Sequence, residues 1–287
     1  MSYSIDLGII GGTGVYKMSE VSIIEEIDIE TPFGSPSSAI TIGEIGGKTI
    51  AFLARHGKGH VIPPSEINYR ANIFALKSLG ISSIIAISAC GSLREDYAPG
   101  DIVIPDQIID FTKNRERTFF GKGLVAHVST ADPFCPHLSE MLFNSVKKTG
   151  VKVHFGSSLV TIEGPRFSTK AESNLFRSWG MSIIGMTSSP EVFLAREAEI
   201  CYAALAHVTD YDVWHSSEAP VSVDMILEVL EKNSQIANQS IINIINEYEV
   251  YDCECQHALK FALTSSPEFI ETQEKEKLKI IVNKYLQ

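Results

Sequence analysis

The chain has 287 residues, a length that fits one large α/β unit or two smaller domains. Apolar residues make up 44% and charged residues 21%, which supplies a full core and excludes wholesale disorder. Lys and Arg number 24 against 35 Asp and Glu, a formal charge of −11 with no basic cluster able to reverse it, which argues against nucleic acid or an anionic membrane as partner. No apolar run approaches the ~18 residues of a membrane helix. The opening MSYSIDLGIIGGTG has no basic start and is interrupted by Asp6, so it does not read as a signal peptide and a cytoplasmic location is expected. Five cysteines are too few for a disulfide scaffold. With no Cys-x-x-Cys and no His-Glu-x-x-His, no metal site is expected.

In chain order, Ile5 to Ile10 is an apolar strand stopped by Gly11-Gly12-Thr13-Gly14. Ile23 to Ile29 and Ala39 to Ile45 alternate at period two, as half-exposed strands do. Thr49 to Ala54 is a strand ending at Arg55-His56-Gly57. Ile67 to Leu79 has helical spacing and stops at Gly80; Ile81 to Ile87 is a buried-type strand ending at Ser88-Ala89-Cys90-Gly91-Ser92. Leu138 to Lys148 reads as a helix, Val151 to Ile162 as a strand running into Glu163-Gly164-Pro165-Arg166, and Lys170 to Trp179 as a helix. Ile183 to Met186 is a short strand, Pro190 to Ala198 a helix, and Cys201 to Val208 a strand ending at Thr209-Asp210-Tyr211-Asp212. Val223 to Tyr248 has the spacing of a long helix. The chain divides into a domain over 1–249 and a tail over 250–287 with Cys253-Glu254-Cys255 and a charged helical end.

Strands alternating with helices predict an α/β fold: a mixed, largely parallel central sheet flanked by helices. In such sheets ligands bind beyond the carboxyl ends of the strands. The residues there are Thr13, Arg55-His56, Ser88-Ala89, Glu163, Thr187 and Asp210 to Asp212, which parallel strands would gather on one rim. Gly11-Gly12-Thr13-Gly14 reads either as a tight turn or as a loop whose N–H groups approach an oxyanion. It fails the Rossmann spacing, and no helical run follows. Arg55 to His60 is a solvated basic loop or a donor fork for phosphate or carboxylate. Asp210 and Asp212 stand at i and i+2; in extended chain both face one way, and mutual repulsion in a desolvated site would raise one pKa into the range of a proton donor. The alternative is a solvated Asx turn. Val223 and Leu227, four apart on the long helix, share a face that core packing alone could explain.

Together the stretches GIIGGTGVY, TPFGSPS, LARHGKGH with PPSEINYRANI, SACGSLREDYAPGDIVIPDQIID, ADPFCP, VTIEGPRFSTKAES, GMTSSPEVFLAREAEICYA and TDYDVW resemble the trimeric purine nucleoside phosphorylase family, in its methylthioadenosine-cleaving branch. The resemblance runs in order from residue 8 to about 230. It implies a phosphate site of Thr13, Arg55, His56, Ser88, the Ala89 backbone and Thr187. It implies that Met186 packs on the ribose, that Phe167 and Ser168 line the purine site, and that Asp210 and Asp212 read the base, with Asp210 as the catalytic acid at N7. Thr-Asp-Tyr-Asp, where 6-oxopurine relatives carry an Asn-type reader, implies a 6-aminopurine. Val223 and Leu227 match an apolar wall for a 5′-methylthio group, and His127 a residue that reaches a neighbouring subunit's site.

The implied reaction is phosphorolysis of methylthioadenosine through an oxocarbenium-like sugar, with inorganic phosphate as co-substrate and neither cofactor nor metal. The implied partners are a nucleoside, phosphate and further copies of the chain, as a homotrimer or a dimer of trimers. Gly185 departs from the larger polar residue expected before Met186, which leaves broader purine nucleoside use open. A nucleosidase using water activated by Glu163 is the other alternative. Cys253 and Cys255 are read as free thiols or as a strained, reducible pair that pins the tail or takes part in disulfide exchange during folding, with Cys90, Cys135 and Cys201 structural or paired by geometry the sequence does not show.

Overall fold

The structure is a computed structural model and describes residues 4–11, 20–215 and 223–286; the side chains of 223–234 lie outside the description. The strands β1 (Leu7–Gly11), β2 (Ser22–Ile27), β3 (Ile40–Ile45) and β4 (Lys48–Ala54) precede α1 (Tyr69–Ser78) and the long β5 (Ser83–Ser92). Then come β6 (Ile102–Ile104), β7 (Gln107–Phe111), α2 (Pro136–Lys147), β8 (Val153–Phe155), β9 (Ser158–Ile162) and α3 (Lys170–Ser178). They are followed by β10 (Ile183–Gly185), α4 (Ser188–Glu197), β11 (Cys201–Asp210) and α5 (Val223–Glu247). Two 3-10 turns, Glu254–His257 and Pro267–Phe269, and two short helices, α6 (Thr272–Lys277) and α7 (Lys279–Val282), make up the C-terminal segment.

Local chemistry sets the helix ends. The Asn68 carboxamide accepts the Ala71 N–H at 3.1 Å and opens α1, and Gly80, at φ +82°, supplies the left-handed residue just beyond its end. At α3 the Thr169 hydroxyl accepts the Glu172 N–H at 3.2 Å while Glu172 accepts the Thr169 N–H at 2.7 Å, a reciprocal capping box.

The strands join one sheet that forks at β5. Its order is β2-β3-β4-β1-β5-β10-β9-β7, with β11, β6 and β8 branching from β5. Six of the strand pairings are parallel and four antiparallel, so the sheet is mixed and largely parallel, as predicted. β5 runs parallel to β1 and, along most of its length, to β11, but its last residues meet β10 head-on, with Gly91 opposite Ile184.

Side chains of β1, β5 and β11 divide between two cores. Ile10, Ile84, Ala86, Tyr202 and Ala204 pack with α1 and α4. Leu7, Ile9, Ile85, Ala203 and Leu205 pack with α2 and the last turns of α5. Strands buried on both faces read as continuous apolar runs, which is why these three were visible in sequence. The 250–287 segment is built into the same cores, through Leu259, Ala262, Leu278 and Val282 on one side and Cys255 on the other.

Several expectations are corrected. β5 does not stop at Ile87 but continues through Ser92, because β11 and β10 both pair with its far half. The stretch 151–162 is two strands: the chain turns at Gly156, and β8 joins β6 on one branch while β9 joins β10 on the other. β2 is an exposed edge with Ile23 60% accessible, and β3 is almost wholly buried, so neither is half-exposed. β6 and β7 were not anticipated; three and five residues carry too little periodicity.

Candidate active site

The polar groups meet over the middle of β5, where the two branches of the sheet separate. The expected single rim of parallel carboxyl ends is not what gathers them. β10 and β9 run opposite to β5, so Met186 and Thr187 arrive beside Ser88 and Ala89 by running back along β5 from Gly91. Ser88 and Ala89 therefore lie inside the strand, opposite Ala206 and His207 of β11, and are half-buried.

Arg55 follows β4 directly and is 2% exposed. It is neither a solvated loop residue nor an open fork. Its Nε and Nη2 each donate at 2.7 Å to the two oxygens of Glu191, which is fully buried, and Nη1 donates to the Ile87 carbonyl at 2.9 Å. The Tyr202 hydroxyl donates to the same carboxylate at 2.7 Å. A guanidinium has five N–H groups, so two remain for another acceptor. His56 places Nδ1 2.9 Å from the Ile62 carbonyl and stacks on His60 at 4.2 Å. Burial, aided by the Arg55 charge and opposed by that carbonyl, pushes its pKa down to about 4. The ring is neutral at pH 7, Nδ1 carries the proton, and Nε2 is an acceptor. Thr187 is buried at the N-cap of α4 and makes no capping bond to it. Thr13 lies outside the described residues.

Asp210 ends β11, and Asp212 sits beyond it at φ +51°, after a register shift between Val208 and Asp210. The i, i+2 alternation of an extended chain is thus not what brings the pair together. A turn does, closed by the Asp212 N–H donating to Asp210 Oδ1 at 2.7 Å. Gly91 permits the approach: a Cβ there would lie 2.9 Å from Asp210 Oδ1 and 3.3 Å from the Asp212 Cβ. Both carboxyls have raised pKa values. For Asp210 burial outweighs its hydrogen bonds, and for Asp212 burial again leads, with repulsion from Asp210 a lesser cause. Desolvation, more than mutual repulsion, therefore sets the pair.

The Thr209 hydroxyl has one proton and two acceptors in reach, Asp210 Oδ2 at 2.7 Å and the Cys90 carbonyl at 3.2 Å. The bond from Thr209 to Asp210 favours the ionised carboxyl, and burial outweighs it. Asp212 Oδ2 finds no partner among the described residues, and Ser173 and Glu172 of α3 lie nearby.

Beside α3 a cavity of about 190 Å³ is lined by Phe111, Ile162, Glu163, Gly164 and Ser168, among others. Ser168 is buried with its hydroxyl unpartnered among the described residues, and Phe167 is 36% exposed. Met186 reaches this wall, since a Cβ on Gly164 would fall 2.7 Å from its sulfur. Gly185 is not imposed by packing: a Cβ there would meet only the Ala89 carbonyl at 3.8 Å. His127 is exposed, and its N–H donates to the Ala262 carbonyl at 2.8 Å. Val223 and Leu227 begin α5, and their side chains lie outside the described residues.

Two organising residues were missed in the sequence. Glu191 pairs with Arg55 across 136 positions, which no spacing rule detects. Arg115, 8% exposed, donates to the carbonyls of Met186 at 2.8 Å, Ser189 at 2.6 Å and Glu163 at 2.6 Å, and so holds the β9 and β10 ends together. Its run Lys-Asn-Arg-Glu-Arg reads as an ordinary charged loop.

A forked, mostly parallel sheet with a buried arginine and a desolvated carboxyl pair at its branch point defines the class as an α/β protein with a polar site at the fork of its sheet. The family model for the phosphorylase superfamily matches residues 6–246. An S-methyl-5′-thioadenosine phosphorylase of Geobacter sulfurreducens is 47% identical over 282 residues, 98% of this chain and 99% of that one. One of Hyperthermus butylicus is 51% identical over 91% of this chain and 97% of its own. Among solved structures, a methylthioadenosine phosphorylase from an antarctic soil metagenomic library superposes with TM-score 0.93 at 46% identity, over 97% of this chain and 99% of that one. A Schistosoma mansoni methylthioadenosine phosphorylase in complex with adenine gives 0.84 at 36% identity, with 98% of each chain covered. The chain belongs to the phosphorylase superfamily and, within it, to the S-methyl-5′-thioadenosine phosphorylase family.

Proposed function

We propose that this protein cleaves 5′-methylthioadenosine with inorganic phosphate, releasing adenine and 5-methylthioribose 1-phosphate. The observation that carries the reading is the burial of Asp210, which raises its pKa against the opposing hydrogen bonds from the Thr209 hydroxyl and the Asp212 N–H. Such a group can give a proton to N7 as the glycosidic bond opens, so that adenine leaves uncharged. Asp212, with an unpartnered oxygen, accepts from the 6-amino group. Phe167 and Ser168 line the base, and Met186 packs on the ribose. Val223 and Leu227 cover the methylthio group, whose burial is worth roughly 1–2 kcal/mol over a 5′-hydroxyl.

Phosphate is held by the two remaining N–H groups of Arg55, by Thr13, Ser88 and Thr187, and by the Ala89 backbone. Neutral His56 accepts through Nε2, which fits a phosphate that still carries a proton. The anion stabilises the positive sugar and attacks C1′ from the face opposite the base. No group other than substrate, phosphate and side chains is called for, and fixed dipoles carry the rate enhancement. The working unit is a homotrimer or a pair of trimers, with the exposed His127 completing a neighbour's site.

The water-using alternative is less well served. Burial works to raise the Glu163 pKa, but hydrogen bonds from the Asn114 and Lys113 backbone and from the Arg115 guanidinium outweigh it and hold it below the ordinary value. A carboxylate so engaged is a weak base for water. The test is direct. The protein is mixed with methylthioadenosine and phosphate, and adenine and sugar 1-phosphate are measured. Adenine release at full rate in phosphate-free buffer would assign the attack to water.

A further inference from the structure

Four of the five cysteines, far apart in sequence, come together away from the site just described. Cys135 is the N-cap of α2, Cys201 opens β11, and Cys253 and Cys255 flank and enter the first 3-10 turn of the C-terminal segment. Their four sulfurs all lie within 4.8 Å of one another, and Cys135 and Cys253 are 3.7 Å apart. A tetrahedral ion with Zn–S bonds of about 2.3 Å requires sulfurs about 3.8 Å apart. Cys135, Cys201 and Cys255 are buried.

We propose that Cys135, Cys201, Cys253 and Cys255 form a structural Zn²⁺ site that clamps the C-terminal segment to α2 and β11. Four sulfur donors within this reach of one another are the set that a thiophilic d¹⁰ cation takes in a structural site, with no open position for a substrate. On binding, each Zn–S bond replaces one S–H bond, and its proton leaves to solvent. Zn²⁺ with four thiolates carries a net charge of −2, and the surroundings answer it. The Arg196 guanidinium donates to Cys255 Sγ at 3.0 Å, and the Leu138 N–H, in the first turn of α2, donates to Cys135 Sγ at 3.5 Å. Such outer partners orient the ligands and stabilise their charge. Sequence spacing hid the site because its ligands come from three separate parts of the chain. Cys201 and Asp210 mark opposite ends of β11, about 30 Å apart in extended strand, so the ion serves stability and leaves the chemistry alone.

The chain, purified under reducing conditions without chelator, is analysed by inductively coupled plasma mass spectrometry. About one zinc per chain is expected. Removal by a strong chelator should lower Tm, and one equivalent of ZnCl₂ should restore it. Co²⁺ in its place should give the spectrum of a tetrahedral thiolate site. Cys253→Ser with Cys255→Ser should bring zinc below about 0.1 per chain and lower Tm, with kcat/KM at moderate temperature unchanged. Should that variant fail to fold, metal content, stripping and cobalt spectrum of the unaltered chain still decide. Iron in place of zinc, no uptake of Zn²⁺ or Co²⁺ by the reduced chain, or all four sulfurs paired in disulfides in a chain isolated without reductant and alkylated at once would overturn the proposal.

Discussion

At the scale of single residues, Asp210 and Arg55 differ in what they are asked to do. Asp210 is to lend a proton, so Asp210→Asn should lower kcat on methylthioadenosine by roughly 10²- to 10⁴-fold, the usual share of general acid catalysis. KM should change far less, because the amide keeps the shape and can still hydrogen-bond. The wild-type rate should fall on the alkaline side as the raised Asp210 pKa is passed and its proton is lost. The Asn variant should lack that limb, and an unchanged kcat would place the acid elsewhere. Arg55 is both a proposed phosphate donor and the counter-ion of a buried carboxylate. Arg55→Ala should therefore lose phosphate dependence and also destabilise the fold by about 3–5 kcal/mol, since it strands Glu191. Adding Glu191→Gln should recover part of the stability and none of the activity. Urea denaturation of the single and double variants reads the first effect, and phosphate titration of the rate reads the second. The sequence singled out both residues as candidates, but it could not reveal the Glu191 partner, because a contact across 136 positions leaves no local pattern.

At the scale of elements, β5 and β11 carry much of the proposed site, and what could be read in them depended on burial. Their apolar cores were plain because both faces are covered. Their far ends were not, because Ser88-Ala89-Cys90-Gly91-Ser92 contains the small polar residues that usually mark a turn. At one of them, Gly91, the close packing of the site requires a small residue, with Asp210 Oδ1 and the Asp212 Cβ crowding the place of a side chain. Gly91→Ala should push the carboxyl pair out of register with the base. Turnover should fall by at least ~10-fold, since small misplacements of positioned groups are costly, with Tm lowered by only a few degrees. A variant with wild-type kcat would show that the pair has freedom to shift. Helix ends, by contrast, were legible to within two residues: the Lys170 start of α3 was read directly, whereas α1, α2 and α4 begin two residues from the expected Ile67, Leu138 and Pro190. The capping chemistry of α1 and α3 is local, so it is written where it acts. The 151–162 stretch misled because one apolar run crosses from one branch of the fork to the other, and only tertiary pairing shows the break.

At the scale of the whole molecule, one buried histidine gives the fold a pH response that Glu197, raised by burial to about 7, opposes in the same range. His207 lies in the middle of β11, 2% exposed, between Ala89 of β5 and Ile102 of β6, and its Nδ1 finds no partner among the described residues. Burial pushes its pKa down to about 4, against about 6.5 in an open chain. Between those two values the unfolded chain binds a proton that the native state refuses, so this contribution to stability rises with pH across the window and is lost as pH falls from about 6.5 towards 4. The difference corresponds to about 3 kcal/mol when the native chain is compared well above and well below the window. His56 shifts in the same direction but is only partly buried, so water screens its share. Removing the titrating group while keeping a polar side chain of similar size, His207→Gln, should therefore lower the slope of unfolding free energy against pH between pH 6.5 and 5. The value above pH 7 can change either way with packing, so the slope is the quantity to read. Urea denaturation at half-unit pH steps on both chains measures it. Equal slopes in the two would mean that His207 binds its proton alike in the native and unfolded chains, which would remove the histidine from the acid response.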